Sequence, residues 1–282
     1  MKIEKILNQY KFSSEIDGQD FDKVKSWLFI YGQTKRVYFI PSFKIQDPAN
    51  INHRTMDLLG GVPFTSRDYP WPKTDGVGVD MQPIIQIDLS LASQNIGDDL
   101  GSELLQLWGR VDVNRNSSLN GEAGKSLLYL RTIPRSELLD SVMIEPPSDQ
   151  PWRRHDCNQN AEDVQVIFPD GSIEMKSGSI IEWKRAGDMY ATPACVEMDI
   201  DDSYRLYEQV FDDLLSEVVS PRVSPTIYLG GHRGQAGGYE DPSGNGSLLI
   251  RLNDESSFHI GVTYYRTRKD KLVFNPIFRY YA

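Results

Sequence analysis

The residues best equipped for chemistry fall into four short stretches. "RRHDC", residues 153–157, gathers a base, an acid and a thiol. Cysteine hydrolysis needs a thiolate and an imidazole apposed across a fold, and adjacency along one loop does not supply that. Cys157 and His155 are therefore expected in a solvated loop without catalytic geometry. "EMDIDDSY", residues 197–204, offers three aspartates to a divalent cation. Asp199 and Asp201 share one face of an extended segment, Asp202 is better used as a helix cap, and no calcium-loop spacing follows. "GGHRGQAGGYEDPSGNG", residues 230–246, has the glycines of a phosphate cradle. It lacks the lysine-containing P-loop pattern, and Glu240 and Asp241 would repel an anion. The chain has four histidines and no zinc-protease or nucleophile-elbow motif, so no catalytic, metal or cofactor residue is assigned.

The fourth stretch is "LLGGVPFTSRDYPWP", residues 58–72, just ahead of the strand-like "PIIQIDL". Glycine opens backbone conformations closed to other residues, proline fixes φ, and Tyr69 and Trp71 bring large apolar area. Such a loop is expected to form a rigid, aromatic-weighted corner, with Tyr69 and Trp71 covering a sheet edge. The alternative is a pocket wall between two halves of the molecule, where a small ligand or substrate would meet Arg67, Trp71, Gln86 and Arg233.

Strands must position these stretches. "RVYFIPSF" reads as one because β-branched and aromatic residues dominate, with Pro41 marking a sheet edge or a strand end. "PIIQIDL", "ELLQLWGRV" and "SLLYLRTI" follow. Residues 145–163 lack periodicity and are rich in turn formers, which predicts a long loop between a first half (about 1–144) and a second (about 164–282). The second half resumes with "DVQVIF" and "SIEM" around a "PDG" turn, then "SIIEWKR", "ACVEMDI", "SLLIRL", "FHIGVTYY" and "KLVFNPIFRYY". "LGG" at residues 59–61 recurs at 229–231, and each copy leads into a strand, "IIQID" or "LIRLN". The pair predicts two related half-sheets. Helical spacing appears at residues 3–10 and 21–27, and most clearly at 203–218. There Tyr207, Val210, Phe211, Leu214, Leu215 and Val218 form one face, and Glu208, Asp212, Asp213 and Glu217 lie opposite.

The formal charge of −10 argues against sequence-independent nucleic-acid binding, which needs a basic surface to release counterions. From residue 188 to 217 there are nine acids and a single base, Arg205. This stripe is either a solvated helix face or a docking surface for a basic protein. A content of 39% hydrophobic residues over 282 positions allows one large core. No apolar run reaches bilayer length and the opening residues do not read as a signal peptide. With two cysteines in no metal or disulfide pattern, the expected location is the cytoplasm, with the thiols reduced.

"LGGVPFTSRDYPWP", "MQPIIQIDLS" and "ELLQLWGRVD" together resemble the signature of the YwqG-like family, a bacterial domain of unknown function. That signature has Gly–Gly–x–Pro, a Trp–Pro, a strand ending in Gln–hydrophobic–Asp/Asn, and a Leu–Gln strand. "LGGHRGQAGGY", "SLLIRL" and the C-terminal hairpin are similar to its second half, with His232–Arg233 after the glycines in place of the usual proline. The expected fold is α+β: one β-rich domain of two pseudo-repeated half-sheets with peripheral amphipathic helices. The expected function is non-enzymatic binding of a basic protein through Glu208, Asp212, Asp213 and Glu217. The resemblance adds a concrete form of it, an immunity-type partner of a bacterial toxin. The alternative remains a small-molecule or enzymatic site at Arg67, Trp71, Gln86 and Arg233. The sequence does not specify an oligomeric state.

Overall fold

The computed structural model describes residues 35–47, 49–74, 78–109, 128–140, 142–148, 179–190, 227–231, 247–253 and 258–280. Among these residues ten antiparallel strands form one sheet: β1 (Lys35–Ile45), β2 (Leu58–Leu59), β3 (Gln82–Asp88), β4 (Leu104–Gly109), β5 (Leu128–Ile133), β6 (Ser179–Tyr190), β7 (Ile227–Gly230), β8 (Ser247–Asn253), β9 (Phe258–Arg266) and β10 (Leu272–Tyr280). Their order is β10-β9-β8-β7-β1-β6-β2-β3-β4-β5. The edge strands β5 and β10 approach each other, so the sheet is an almost closed barrel. The described residues add two short helices, α1 (Leu89–Ile96) and α2 (Arg135–Asp140), and a 3₁₀ turn, Ile51–Thr55.

Apolar side chains from every strand meet in one cluster. Phe39, Leu59, Ile85, Ile87, Leu105 and Leu107 come from the first part of the chain, and Ile181, Leu229, Ile250, Leu252, Ile260 and Val262 from the second. Partly buried Leu128 and Leu130 of β5, and Leu272 and Phe274 of β10, pack against them. Strand alternation puts the intervening residues on the other face.

The connectivity crosses over. β2 to β5 form one meander and β7 to β10 another, with β1 and β6 paired between them along their whole lengths. β1 precedes the first meander in sequence but bonds to β7, while β6 precedes the second and bonds to β2. Leu59 stands opposite Ile85, and Leu229 opposite Ile250. Gly60, Gly61, Gly230 and Gly231 all have φ between 63° and 73°. Register shifts fall between Pro83 and Ile85 in one meander and between Leu248 and Ile250 in the other.

β1 lies in the middle of the sheet order, and the edge expected at Pro41 is local: among the described residues β7 pairs only with Tyr38 and Phe39, so Pro41, opposite Trp183 of β6, has a strand on one side. One element was not expected: the strand "PIIQIDL" turns without a break into α1. The Asp88 carboxylate accepts from the Ser90 and Leu91 amides at its start, and Gly97 closes it at φ 83°. Leu89 and Ala92 of α1 enter the core, with Ile96 packed alongside. The helices expected at 3–10, 21–27 and 203–218, the "PDG" hairpin, "DVQVIF" and "ACVEMDI" lie outside the described residues.

Candidate functional site

A row of side chains crosses the first meander at one register: Leu58 faces Gln86, Gln86 faces Gln106, and Gln106 faces Arg131. The glutamines are 1% exposed, covered by the loop of residues 60–72. Buried amides require partners, and these find them in that loop. The Phe64 amide donates to Gln86 Oε1 (3.0 Å), which also accepts from Gln106 Nε2 (2.7 Å). Gln86 Nε2 donates to the Arg54 and Met56 carbonyls (3.0 and 2.7 Å). Gln106 Nε2 also donates to the Phe64 carbonyl (2.7 Å), and Gln106 Oε1 accepts from Arg131 Nε (2.8 Å). Arg131 then reaches the Pro70 and Tyr69 carbonyls (2.7 and 3.3 Å).

Further clamps complete the corner. Gln46 exchanges two 2.8 Å hydrogen bonds with the Val62 backbone, as a neighbouring strand would. Buried Arg54 donates to Thr65 Oγ1 (2.9 Å) and the Ile144 carbonyl (3.0 Å). Trp71 donates to the Met81 carbonyl (2.8 Å) and meets Trp108 edge-on at 4.9 Å. The Arg131 guanidinium lies 5.4 Å from the Trp108 ring centroid, a cation–π arrangement. Burial lowers the Arg131 pKa to about 10, which leaves it charged at neutral pH. The loop is thus fixed by side chains that rise from the sheet beneath it.

A second polar cluster lies where β2, β3 and β6 meet. Asp57, 3% exposed, accepts from the Asp88 amide through Oδ1 and from Trp183 Nε1 through Oδ2, each at 2.6 Å. Its own carbonyl accepts from the Ile181 amide (2.8 Å). Burial pushes the Asp57 carboxyl up to about 7, and the nearby Asp88 carboxylate adds to the rise; the two N–H donors oppose it. Asp88 is paired with Arg135 of α2 at 2.8 Å. Asp57 therefore changes charge near neutral pH inside the protein.

Of the predicted pocket residues, Arg67 is exposed, while Trp71 and Gln86 point into the packed corner just described. Arg233 lies outside the described residues, as do Glu208, Asp212, Asp213, Glu217, His155 and Cys157. The sequence reading missed Gln46, Arg54, Gln106 and Arg131. A signal for two of them was present: a lone glutamine inside each apolar run, "PIIQIDL" and "LLQLWG", marks a buried amide that needs an internal partner. Asp57 carried no such signal, since an acid before a strand reads as solvated. Among the described residues no group of three or more His, Cys, Asp or Glu side chains is placed to hold a metal ion. No described helix is long and apolar enough to cross a membrane. No protein-family model, curated protein or solved structure matches the chain.

Proposed function

We propose that this chain is a cytoplasmic YwqG-like domain of α+β type that works by binding another protein and not by catalysis. Its partner is a basic protein, in the most concrete form a toxin that the domain neutralises as an immunity partner. The observation that carries the reading is the saturation of the corner: Gln86, Gln106, Arg54 and Arg131 direct their polar atoms at the protein's own backbone and side chains. These side chains serve as scaffold, which leaves recognition to other parts of a chain with 40 acids against 30 bases. The matching glycine conformations and register shifts of the two meanders support the further reading that they are related halves.

The test is capture of a partner from the native host, followed by association kinetics. Asp212→Lys/Asp213→Lys should slow association at low salt and leave the melting temperature nearly unchanged, because steering depends on the summed surface field. Equal association rates for the double variant and the wild type would discard the acidic stripe as the docking surface. An enzymatic turnover that survives in purified protein and disappears on Cys157→Ser, with unchanged stability, would replace the binding reading altogether.

A further inference from the structure

β1 and β6 make a ribbon that outreaches its neighbours. They pair from Lys35 opposite Tyr190 to Ile45 opposite Ser179. Among the described residues, β7 reaches only Tyr38 and Phe39 of this ribbon, and β2 only Ser179 and Ile180. Each strand therefore has an open edge, residues 40–45 of β1 and 182–190 of β6. Alternation tells which backbone groups lie along it. The Val37 carbonyl accepts from the Gly231 amide on the β7 side, so Phe39, Pro41 and Phe43 turn their backbone groups that way too. Pro41 has no N–H to offer, which blunts the β1 edge. The Ile181 amide donates to the Asp57 carbonyl on the β2 side, so Trp183 and Arg185 turn their N–H and C=O groups outward. No proline interrupts residues 182–190. Of the two edges, the one on β6 keeps its donors.

The charge of the ribbon is opposite to that of the whole chain. β1 and β6 hold five bases, Lys35, Arg36, Lys44, Lys184 and Arg185, against two acids, Glu182 and Asp188. The chain as a whole has 40 acids and 30 bases. Glu182 is paired with Lys44, and Asp57, bonded to the Trp183 indole, is buried. Lys184 and Arg185 are exposed and, as neighbours in a strand, stand on opposite faces of the open edge. We propose that the β6 edge from Trp183 to Gly187 is a docking site for an extended acidic segment of another protein, which adds a strand to the sheet. The N–H and C=O groups of Trp183 and Arg185 supply the pairing. Opposite positions 183, 184 and 185 the segment presents an apolar residue and two consecutive acids, one acid to each face. Lysine and arginine on an edge discourage pairing with unselected strands, so the segment admitted is one that brings acids. Its charge is opposite to that of the partner that the acidic stripe would take, so either reading can fail alone.

The probe is a pool of fluorescein-labelled heptapeptides, TVxEExT, with x drawn from valine, isoleucine, leucine and phenylalanine, followed by anisotropy at low salt. The pool should bind saturably, and its lysine counterpart, TVxKKxT, should not. Lys184→Glu/Arg185→Glu should weaken binding about tenfold or more, since both charge contacts are reversed. Added salt should weaken it as well. Methylating the amide nitrogens along the pairing edge of the peptides keeps their charge and removes their strand donors, and should abolish binding. In the complex, the Trp183 and Arg185 amides should gain protection from hydrogen exchange. Absence of binding overturns the proposal. So does equal binding by the methylated pool, which would mean charge attraction without an added strand, and so does unchanged affinity in the double variant. Should that variant lose its sheet signal in circular dichroism, Lys184→Gln/Arg185→Gln takes its place with the same expected direction.

Discussion

Gln86 uses both ends of its amide, accepting two hydrogen bonds at Oε1 and donating two at Nε2. Gln86→Leu keeps the volume but strands the Phe64 amide and the Arg54 and Met56 carbonyls, and costs Gln106 Nε2 one of its two bonds. We expect a loss of about 3 kcal/mol in urea unfolding, since each orphaned buried group costs ~1–3 kcal/mol and some will relax toward water. Exposed Arg67→Ala, on the same loop, should change stability by less than ~0.5 kcal/mol. For Asp57 the sign runs against the usual acid behaviour. Its folded pKa, about 7, lies above the ordinary aspartate value of about 3.9, so the folded state holds the proton more tightly. The resulting stabilisation is complete below pH 4, is lost as pH rises towards 7, and amounts to at most ~4 kcal/mol. Measured as wild type minus Asp57→Asn, unfolding free energy should fall from pH 4 to 7 and level off above it. A difference that rises with pH would mean that Asp57 is ionised throughout. Residue chemistry was only partly legible in the sequence. Gln86 stood out as polar within an apolar run, yet its partners are backbone groups of a loop, which no residue type announces.

The strands were the most legible elements, because alternation and β-branched content write themselves into "RVYFIPSF", "SLLIRL" and "FHIGVTYY". Helix α1 was not. It is eight residues long, buries little of its length, and follows β3 with no turn former between them. Its two punctuation marks, Asp88 and Gly97, become readable only once the strand is known to end. Glycine separates local from packed requirements here. Gly97 has φ 83° and open space where a Cβ would stand, whereas at Gly230, φ 73°, a Cβ would lie 2.8 Å from the Val37 carbonyl and 3.3 Å from Ile96. Gly97→Ala should therefore cost only the left-handed backbone penalty of ~1–2 kcal/mol. Gly230→Ala adds a collision between β7, β1 and α1, and should cost roughly 3 kcal/mol or more. Thermal melts of the two variants side by side test the difference, and equal shifts would mean that β1 moves aside freely.

At the scale of the whole molecule, the crossed pairing is what the sequence could not reveal. The repeated "LGG" suggested two halves side by side, but periodicity says nothing about which strand bonds to which. Because β1 bonds to β6 and β7, and β6 to β1 and β2, neither half contains its own complete sheet. We expect fragments 1–144 and 164–282 to be unfolded separately, by circular dichroism and amide dispersion, and to regain sheet structure when mixed. Independent folding of fragment 1–144 would show that β1 finds another partner within its own half.

The same crossing bears on how the protein is born. β1 leaves the ribosome ahead of its longest partner, β6, which follows only after residues 46–178 have been made. At translation rates of ~5–20 residues per second the wait is on the order of ten seconds. During that interval an apolar strand carrying Val37, Tyr38, Phe39 and Phe43 has an open edge, and the first meander can close only on itself. Nascent chains of this protein should therefore engage holding chaperones until β6 emerges, and ribosome-bound lengths ending before residue 179 should remain sensitive to protease.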